Sequence, residues 1–305
     1  MRIAVLGAGA MGSLFGGYLS RKNEVVLVDV SPAVVEKIQT DGVVIHEPDG
    51  SAAAYRVQAM TQTGGQAPVD LMIVFVKSMY SHSALLQNRG MIGPDTYLMT
   101  LQNGSGHEST LLDFADEDHV IIGTTQHNSA VISTGVVRHG GSGETHIGTL
   151  SGVPGRLAEI AAALSACGLK TSCSANIQKL IWEKLFTNVS ASVLTAVLQV
   201  PLGFIAENEH AWALCERLVR EAVAVANADG MGFDAGQKVA EVRAVCQNSP
   251  QGLTSIYADL RDGRKSEVET ISGSVVRASR RNQTPAPTHE AMVGLVHALE
   301  AKAER

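Results

Sequence analysis

A strand-like run at Arg2–Leu6 leads into Gly7-Ala8-Gly9-Ala10-Met11-Gly12 and then into a helical pattern over Met11–Ser20. Three glycines alone can make any tight connection. Strand before and helix behind are the context in which GxGxxG binds a dinucleotide. Gly7 permits the turn, Gly9 lets the backbone approach a pyrophosphate, and Gly12 allows the helix to lie close on the strand. The diphosphate then meets N–H groups at the helix N-terminus, with Ala8, Ala10 and Met11 completing the loop. Asp29 ends the second strand-like run, roughly 20 residues on, where a carboxylate accepts from the adenosine ribose. Its alternative role is to cap the helix that opens at Pro32, a task for which Ser31 stands better. The ribose role favours NADH, because a 2′-phosphate would meet a like charge and Val30 and Ser31 supply no cation.

The pattern that follows continues the same architecture. Glu24–Val28, Asp70–Val76, Tyr97–Gln102 and Val120–Gly123 are apolar and rich in β-branched residues, with helical periodicity between several of them, as at Pro32–Thr40. Near-continuous apolar strands separated by helices predict a parallel sheet covered on both faces, hence an α/β, doubly wound Rossmann domain. Val136–Gly140 and Thr145–Gly148, joined across Gly141-Ser142-Gly143, read as a hairpin, and Leu169–Ser172 as a last strand. From about Ser174 long helical periodicities take over: Ile177–Leu198, Ala211–Ala228, Gly236–Cys246, Ser255–Leu260 and His289–Ala303. The expected division is a dinucleotide-binding domain over 1–174 and an all-α substrate domain over 175–305, with reactive groups lining the cleft between them.

Composition narrows the class. The 305 residues carry a net charge of −6 with no basic stripe, which argues against nucleic acid as a partner. The first strand-like run starts at Arg2 and no uncharged apolar stretch is long enough to span a bilayer, so the chain is expected in the cytoplasm, without a membrane partner. Four cysteines match neither CxxC nor a zinc spacing and read as reduced thiols, mostly buried. Without an HExxH pair, no metal is expected. The His289–Ala303 helix either packs on its own domain or pairs across a homodimer.

A reduction that uses a bound dinucleotide requires a proton donor for the substrate and hydrogen-bond donors that hold it in place. On the Ile177–Leu198 helix Lys184, Asn188 and Ser192 recur at i, i+4, i+8 beside an apolar face of Ile177, Leu180, Ile181, Leu185, Phe186 and Val189. Periodicity alone equally describes an ordinary solvated face. Ser255, Asp259 and Glu267 equally read as caps or surface residues, Asn103 as an Asn-Gly turn, and His127 and His139 as loop or surface histidines.

The blocks Gly7–Gly12, Val76-Lys77, Gln102-Asn103-Gly104-Ser105-Gly106, Gly123-Thr124-Thr125, Trp182-Glu183-Lys184-Leu185 with Asn188, and Ser266-Glu267-Val268-Glu269 with Gly273 together resemble the ketopantoate reductase family over almost the whole chain. The resemblance implies an N-terminal Rossmann domain, a helical second domain, and reduction of 2-dehydropantoate to pantoate by NAD(P)H, a step of pantothenate biosynthesis. It implies Lys184 as proton donor to the ketone oxygen, with Asn188 and Glu267 in the catalytic set. Asn188 and Ser255 would bind the substrate's carboxylate or hydroxyl groups, with Ser192 beside them. Asn103 would touch nicotinamide ribose and substrate, Lys77 and Glu267 would contact the cofactor, and Ser129 would meet it through its backbone.

Two departures qualify that reading. NADPH is the family norm, commonly gripped by an arginine just after the second strand, where this chain has Asp29-Val30. Ser192 and Val193 stand where relatives carry asparagine and proline. These features suit a second branch, NADH-dependent D-2-hydroxyacid dehydrogenases acting on other branched or aromatic 2-oxo acids. A noncatalytic NAD(H) sensor is a reading from another class, opposed by Lys184, Asn188, Ser255 and Glu267, which a sensor does not need. A 3-hydroxyacid dehydrogenase of the phosphogluconate type lacks support from the Ser266-Glu267 block.

Overall fold

The computed structural model describes residues 1–152 and 155–303. Two compact units make up the chain: Met1–Gln102 with His107–Leu180, and Asn103–Gly106 with Ile181–Arg305.

The first unit contains strands β1 (Arg2–Leu6), β2 (Glu24–Val28), β3 (Val43–His46), β4 (Ala52–Tyr55), β5 (Gln58–Met60), β6 (Leu71–Val74), β7 (Tyr97–Thr100), β8 (Val120–Thr125), β9 (Asn128–Ser133), β10 (Val136–Gly141), β11 (Thr145–Thr149) and β12 (Thr171–Cys173). Its helices are α1 (Ala10–Leu19), α2 (Pro32–Asp41), α3 (Ser81–Gln87), α4 (Glu108–Leu112) and α5 (Leu157–Ala166). The larger sheet has the order β12-β11-β8-β7-β6-β1-β2-β5. From β8 to β5 every pairing is parallel. Ile3, Val5, Leu71, Ile73 and Met99 lie in its core at 1% exposure or less, as expected where both faces are covered. Strand order reverses at β1, with β2 on one side and β6 on the other, so the loop after β1 opens into the crevice that α/β sheets use for ligands.

The expected hairpin across Gly141-Ser142-Gly143 does not form. β10 pairs with β9 in a second sheet of order β4-β3-β10-β9, while β11 pairs antiparallel with β8 in the first. The chain instead turns at Thr134-Gly135, where Gly135 has φ of 73°. One long two-armed ribbon results, β8 and β9 going out and β10 and β11 returning. Its arms cross from one sheet to the other near Gly143, where a Cβ would lie 2.4 Å from the Gln126 Cβ. The Gly-rich segment thus serves as a kink, which sequence alone does not distinguish from a turn.

The second unit is helical: the C-terminal part of α6 (Ile177–Thr187), then α7 (Val193–Leu198), α8 (Leu202–Glu207), α9 (Glu209–Ala228), α10 (Ala235–Asn248), α11 (Ser255–Arg261), α12 (Ser272–Asn282) and α13 (Pro287–Ala303). The buried stripe of α9, including Cys215, Leu218, Val219, Ala222 and Val225, lies in a core with Trp182, Phe186, Val275 and Val296. The single helix expected over Ile177–Leu198 is interrupted by a π-helical turn at Asn188–Ser192. Ser190 Oγ donates to the Phe186 carbonyl at 2.5 Å and Thr195 Oγ1 to the Ser192 carbonyl at 2.8 Å, so hydroxyls satisfy carbonyls around the widened turn. No described helix is long and apolar enough to cross a membrane.

Candidate functional site

In the first unit the glycine loop is fastened at several points. Gly7 N–H donates to the Val28 carbonyl at 2.7 Å, Ala8 N–H to Asp29 Oδ2 at 2.8 Å, and Ser13 Oγ to the Ala8 carbonyl at 2.9 Å. A Cβ at Gly12 would stand 1.8 Å from the Gly7 carbonyl oxygen, and Gly7 itself has φ of 95°. Gly9, the N-cap of α1, would place a Cβ in open space. The first-turn N–H groups of α1 lack intrahelical acceptors and give this open side a positive end. Beside the loop lies a recess of about 350 Å³ whose lining includes Gly7, Asp29, Val30, Thr61, Tyr80 and Asn88 and, among the described residues, no lysine or arginine. These features fit a dinucleotide: an open cradle for the diphosphate, and a carboxylate without a cation beside it for the adenosine end.

Asp29 does not cap α2. Ser31 does, its hydroxyl accepting from Val34 N–H, while Asp29 Oδ1 accepts from Ser31 N–H at 2.9 Å. Lys77, half-buried, precedes the short turn Ser78–Tyr80 that follows β6. Gln102, the first residue of the Gln102–Gly106 block and not itself expected at the site, fastens the end of β7 to the segment after β6: its Nε2 donates to the Val76 carbonyl and to Ser81 Oγ. Ser129 lies on β9 of the smaller sheet, with a buried hydroxyl that has no partner among the described residues.

His127 and His139 are not surface histidines. They are 6% and 4% exposed and form a chain in which His127 Nδ1 lies 3.2 Å from His139 Nε2 and His139 Nδ1 lies 2.8 Å from Glu47 Oε2. Tyr18 hydroxyl donates to Glu47 at 2.5 Å. Burial, and then the neighbouring His139, lower the basicity of His127. Residues 92 positions apart meet here through the β3–β10 pairing, which no local pattern announces.

In the second unit Lys184 lies on α6, Asn188 opens the π-turn, Ser255 begins α11, and Glu267 lies in the turn before α12. Lys184 is exposed by surface area, yet dense protein lies around its ammonium, and this desolvation pushes it down to about 8. Exposure and poor hydration are compatible where only one side of a group is open. Ser192, the last residue of the π-turn, is buried, at 6% exposure. Thr254, the N-cap of α11, shares a 2.9 Å hydroxyl bond with Thr195 and reaches the Ser192 carbonyl at 3.4 Å. The structure therefore brings the Asn188–Ser192 turn and the Ser255 helix start together. It also brings Asn103–Gly106 to the Glu267 turn: Ser105 N–H donates to the Thr270 carbonyl at 2.9 Å, and a Cβ on Gly104 would lie 2.0 Å from that oxygen.

Comparison with known proteins gives concordant matches. Residues 3–152 match the family model described as ketopantoate reductase PanE/ApbA, and residues 176–300 the one described as its C-terminal domain, ketopantoate reductase PanE/ApbA C terminal. The 2-dehydropantoate 2-reductase of Halobacterium salinarum is 34% identical, covering 97% of this chain and 98% of its own. That of Lactococcus lactis subsp. lactis is 29% identical over 98% of each. Among solved structures, D-mandelate dehydrogenase with NADH and anilino(oxo)acetate superposes with a TM-score of 0.93 at 28% identity, covering 100% of both chains. A PanE/ApbA family ketopantoate reductase from Ralstonia eutropha JMP134 gives 0.90 at 28% identity, again over 100% of both.

Proposed function

The chain belongs to the ketopantoate reductase family, and from that premise we propose that it is a cytoplasmic oxidoreductase reducing 2-dehydropantoate to pantoate, with NADH as the preferred donor. What supports the chemistry is the placement of Lys184 on α6, one helical turn before Asn188 at the opening of the π-turn, in a desolvated setting that lowers its pKa to about 8. An ordinary lysine ammonium releases its proton reluctantly; one near 8 is protonated at neutral pH and close to matched for transfer to a developing alkoxide.

When bound, the nicotinamide supplies the hydride. The glycine loop Gly7–Gly12 and the α1 N-terminus hold the diphosphate, Asp29 accepts from the adenosine ribose, and Lys77, Asn103, Ser129 and Glu267 are assigned to the rest of the cofactor. Lys184 holds the transferable proton for the ketone oxygen. Asn188 and Ser255 orient the substrate's carboxylate and hydroxyl groups, with Ser192 contributing from the π-turn. Orientation of this kind is worth on the order of 7–11 kcal/mol of barrier in well-aligned systems.

The NADH preference is supported by the recess at Asp29, which carries a carboxylate and no cation among its lining residues. That same feature favours a second reading, a D-2-hydroxyacid dehydrogenase, since the mandelate dehydrogenase match holds NADH. Following absorbance at 340 nm with NADH and NADPH against 2-dehydropantoate and benzoylformate separates the two. Turnover of 2-dehydropantoate sustains the proposal; turnover of benzoylformate alone replaces it with the second reading, and turnover of neither overturns the proposal and restricts the second reading to other 2-oxo acids.

A further inference from the structure

We infer that Glu300 and His297, on the last helix, are positioning residues that set the Ser266–Thr270 turn and through it Glu267 and the Asn103–Gly106 loop. The inference rests on the reading that Glu267 and Asn103 act at the site, and goes beyond it by naming what holds them. Glu300 Oε1 accepts from Ser266 N–H at 2.8 Å and from Ser266 Oγ at 2.6 Å, gripping the residue immediately before Glu267 from both backbone and side chain. The Glu300 side chain is 9% exposed, so these bonds are shielded from competing water.

On the other flank, His297 Nε2 lies 2.7 Å from Glu269 Oε1 and its Nδ1 3.0 Å from Glu300 Oε2. A ring with a carboxylate at each nitrogen is arranged to donate twice, tying the residues either side of Glu267 to one helix. Arg277 adds a bond to the Glu269 carbonyl at 2.8 Å. The far end of the turn carries the Thr270 carbonyl that receives Ser105 N–H. A shift in the turn therefore displaces Glu267 and the support of Asn103 together, and it originates from side chains that need not touch either ligand.

The test compares Glu300→Ala, Glu300→Gln and Glu267→Gln in the full chain, reading the NADH dissociation constant by fluorescence titration, kcat and KM with the accepted 2-oxo acid, and Tm. Glu300→Ala is expected to weaken NADH binding and lower kcat on the order of 10- to 100-fold, as small misplacements of aligned groups do. Glu300→Gln keeps an acceptor for Ser266 and should recover most of both losses. A purely structural Glu300 would lower Tm while leaving kcat and NADH affinity of the folded protein unchanged. That result, with Glu267→Gln impaired, overturns the inference and leaves the site reading intact. If Glu267→Gln and Glu300→Ala both match the wild type, the site reading fails and the inference fails with it.

Discussion

Asp29 combines two tasks in one carboxylate: Oδ2 fastens the glycine loop through Ala8 N–H, and the group also lines the neighbouring recess. Removing it should therefore weaken any dinucleotide, while changing the charge beside it should change which one binds. The double variant Asp29→Ser with Val30→Arg is expected to raise the ratio of kcat/KM for NADPH over NADH at least about tenfold, equivalent to ~1.4 kcal/mol. An unchanged ratio would show that these positions do not read the 2′-substituent. Lys184 carries the clearest pH signature. Because the ammonium is the donating form, kcat/KM for reduction should be sustained below about 8 and fall as pH rises through that value. Lys184→Arg should remove this alkaline limb, and Lys184→Ala should lower kcat by roughly 10²–10⁴. A flat profile from pH 7 to 10 in the wild type would exclude Lys184 as donor. The glycine loop was legible in the sequence because its geometry is dictated within six neighbouring residues. The lowered pKa of Lys184 was not, since it depends on packing that only the tertiary structure supplies.

At the level of elements, the β1–α1 connection and most strands of the larger sheet follow from apolar runs, whereas β3, β4, β5 and β9 escaped notice. β4 and β9 are largely exposed, and their Ala-Ala-Ala-Tyr and Asn-Ser-Ala-Val-Ile-Ser sequences show no alternation of polar and apolar residues to reveal them. The π-turn escaped for another reason: its hydroxyl-rich Asn188-Val189-Ser190-Ala191-Ser192 segment is compatible with an ordinary helix until Thr195 and Thr254 are seen around its carbonyls. This junction makes a prediction of its own. Thr254→Ala deletes the cap on Tyr257 N–H and the bond to Thr195, costing about 0.5–2 kcal/mol in chemical denaturation. Because Ser255 begins the same helix, KM for the 2-oxo acid should rise while KM for NADH stays near its wild-type value, and Thr254→Ser should reverse most of the change. Equal effects on the two KM values would disconnect the junction from substrate binding.

For the molecule as a whole, each unit encloses a histidine whose basicity is lowered by burial, His127 in the first and His289, at 0% exposure, in the second. Folding keeps these rings neutral at a pH where the unfolded chain protonates them. Stability should thus decline as pH falls below about 6.5 and level off beneath the folded pKa values. His297, whose pKa is raised between Glu269 and Glu300, acts in the opposite sense, so the check is the difference between variants: His289→Gln should flatten the fall of the calorimetric Tm from pH 7.5 to 5.5, and a slope equal to that of the wild type would refute this. The two-part organisation itself was visible as a change from alternating to helical periodicity, but the sequence carried no sign that Asn103–Gly106 belongs with the helical unit. That allegiance matters for how such genes can recombine. A crossover that exchanged the chain from Ile181 onward would import a Thr270 carbonyl fitted to one parent's Gly104-Ser105 and set it against the other's. Heredity by modules would then favour descendants in which the short loop and the distant turn are inherited from the same ancestor.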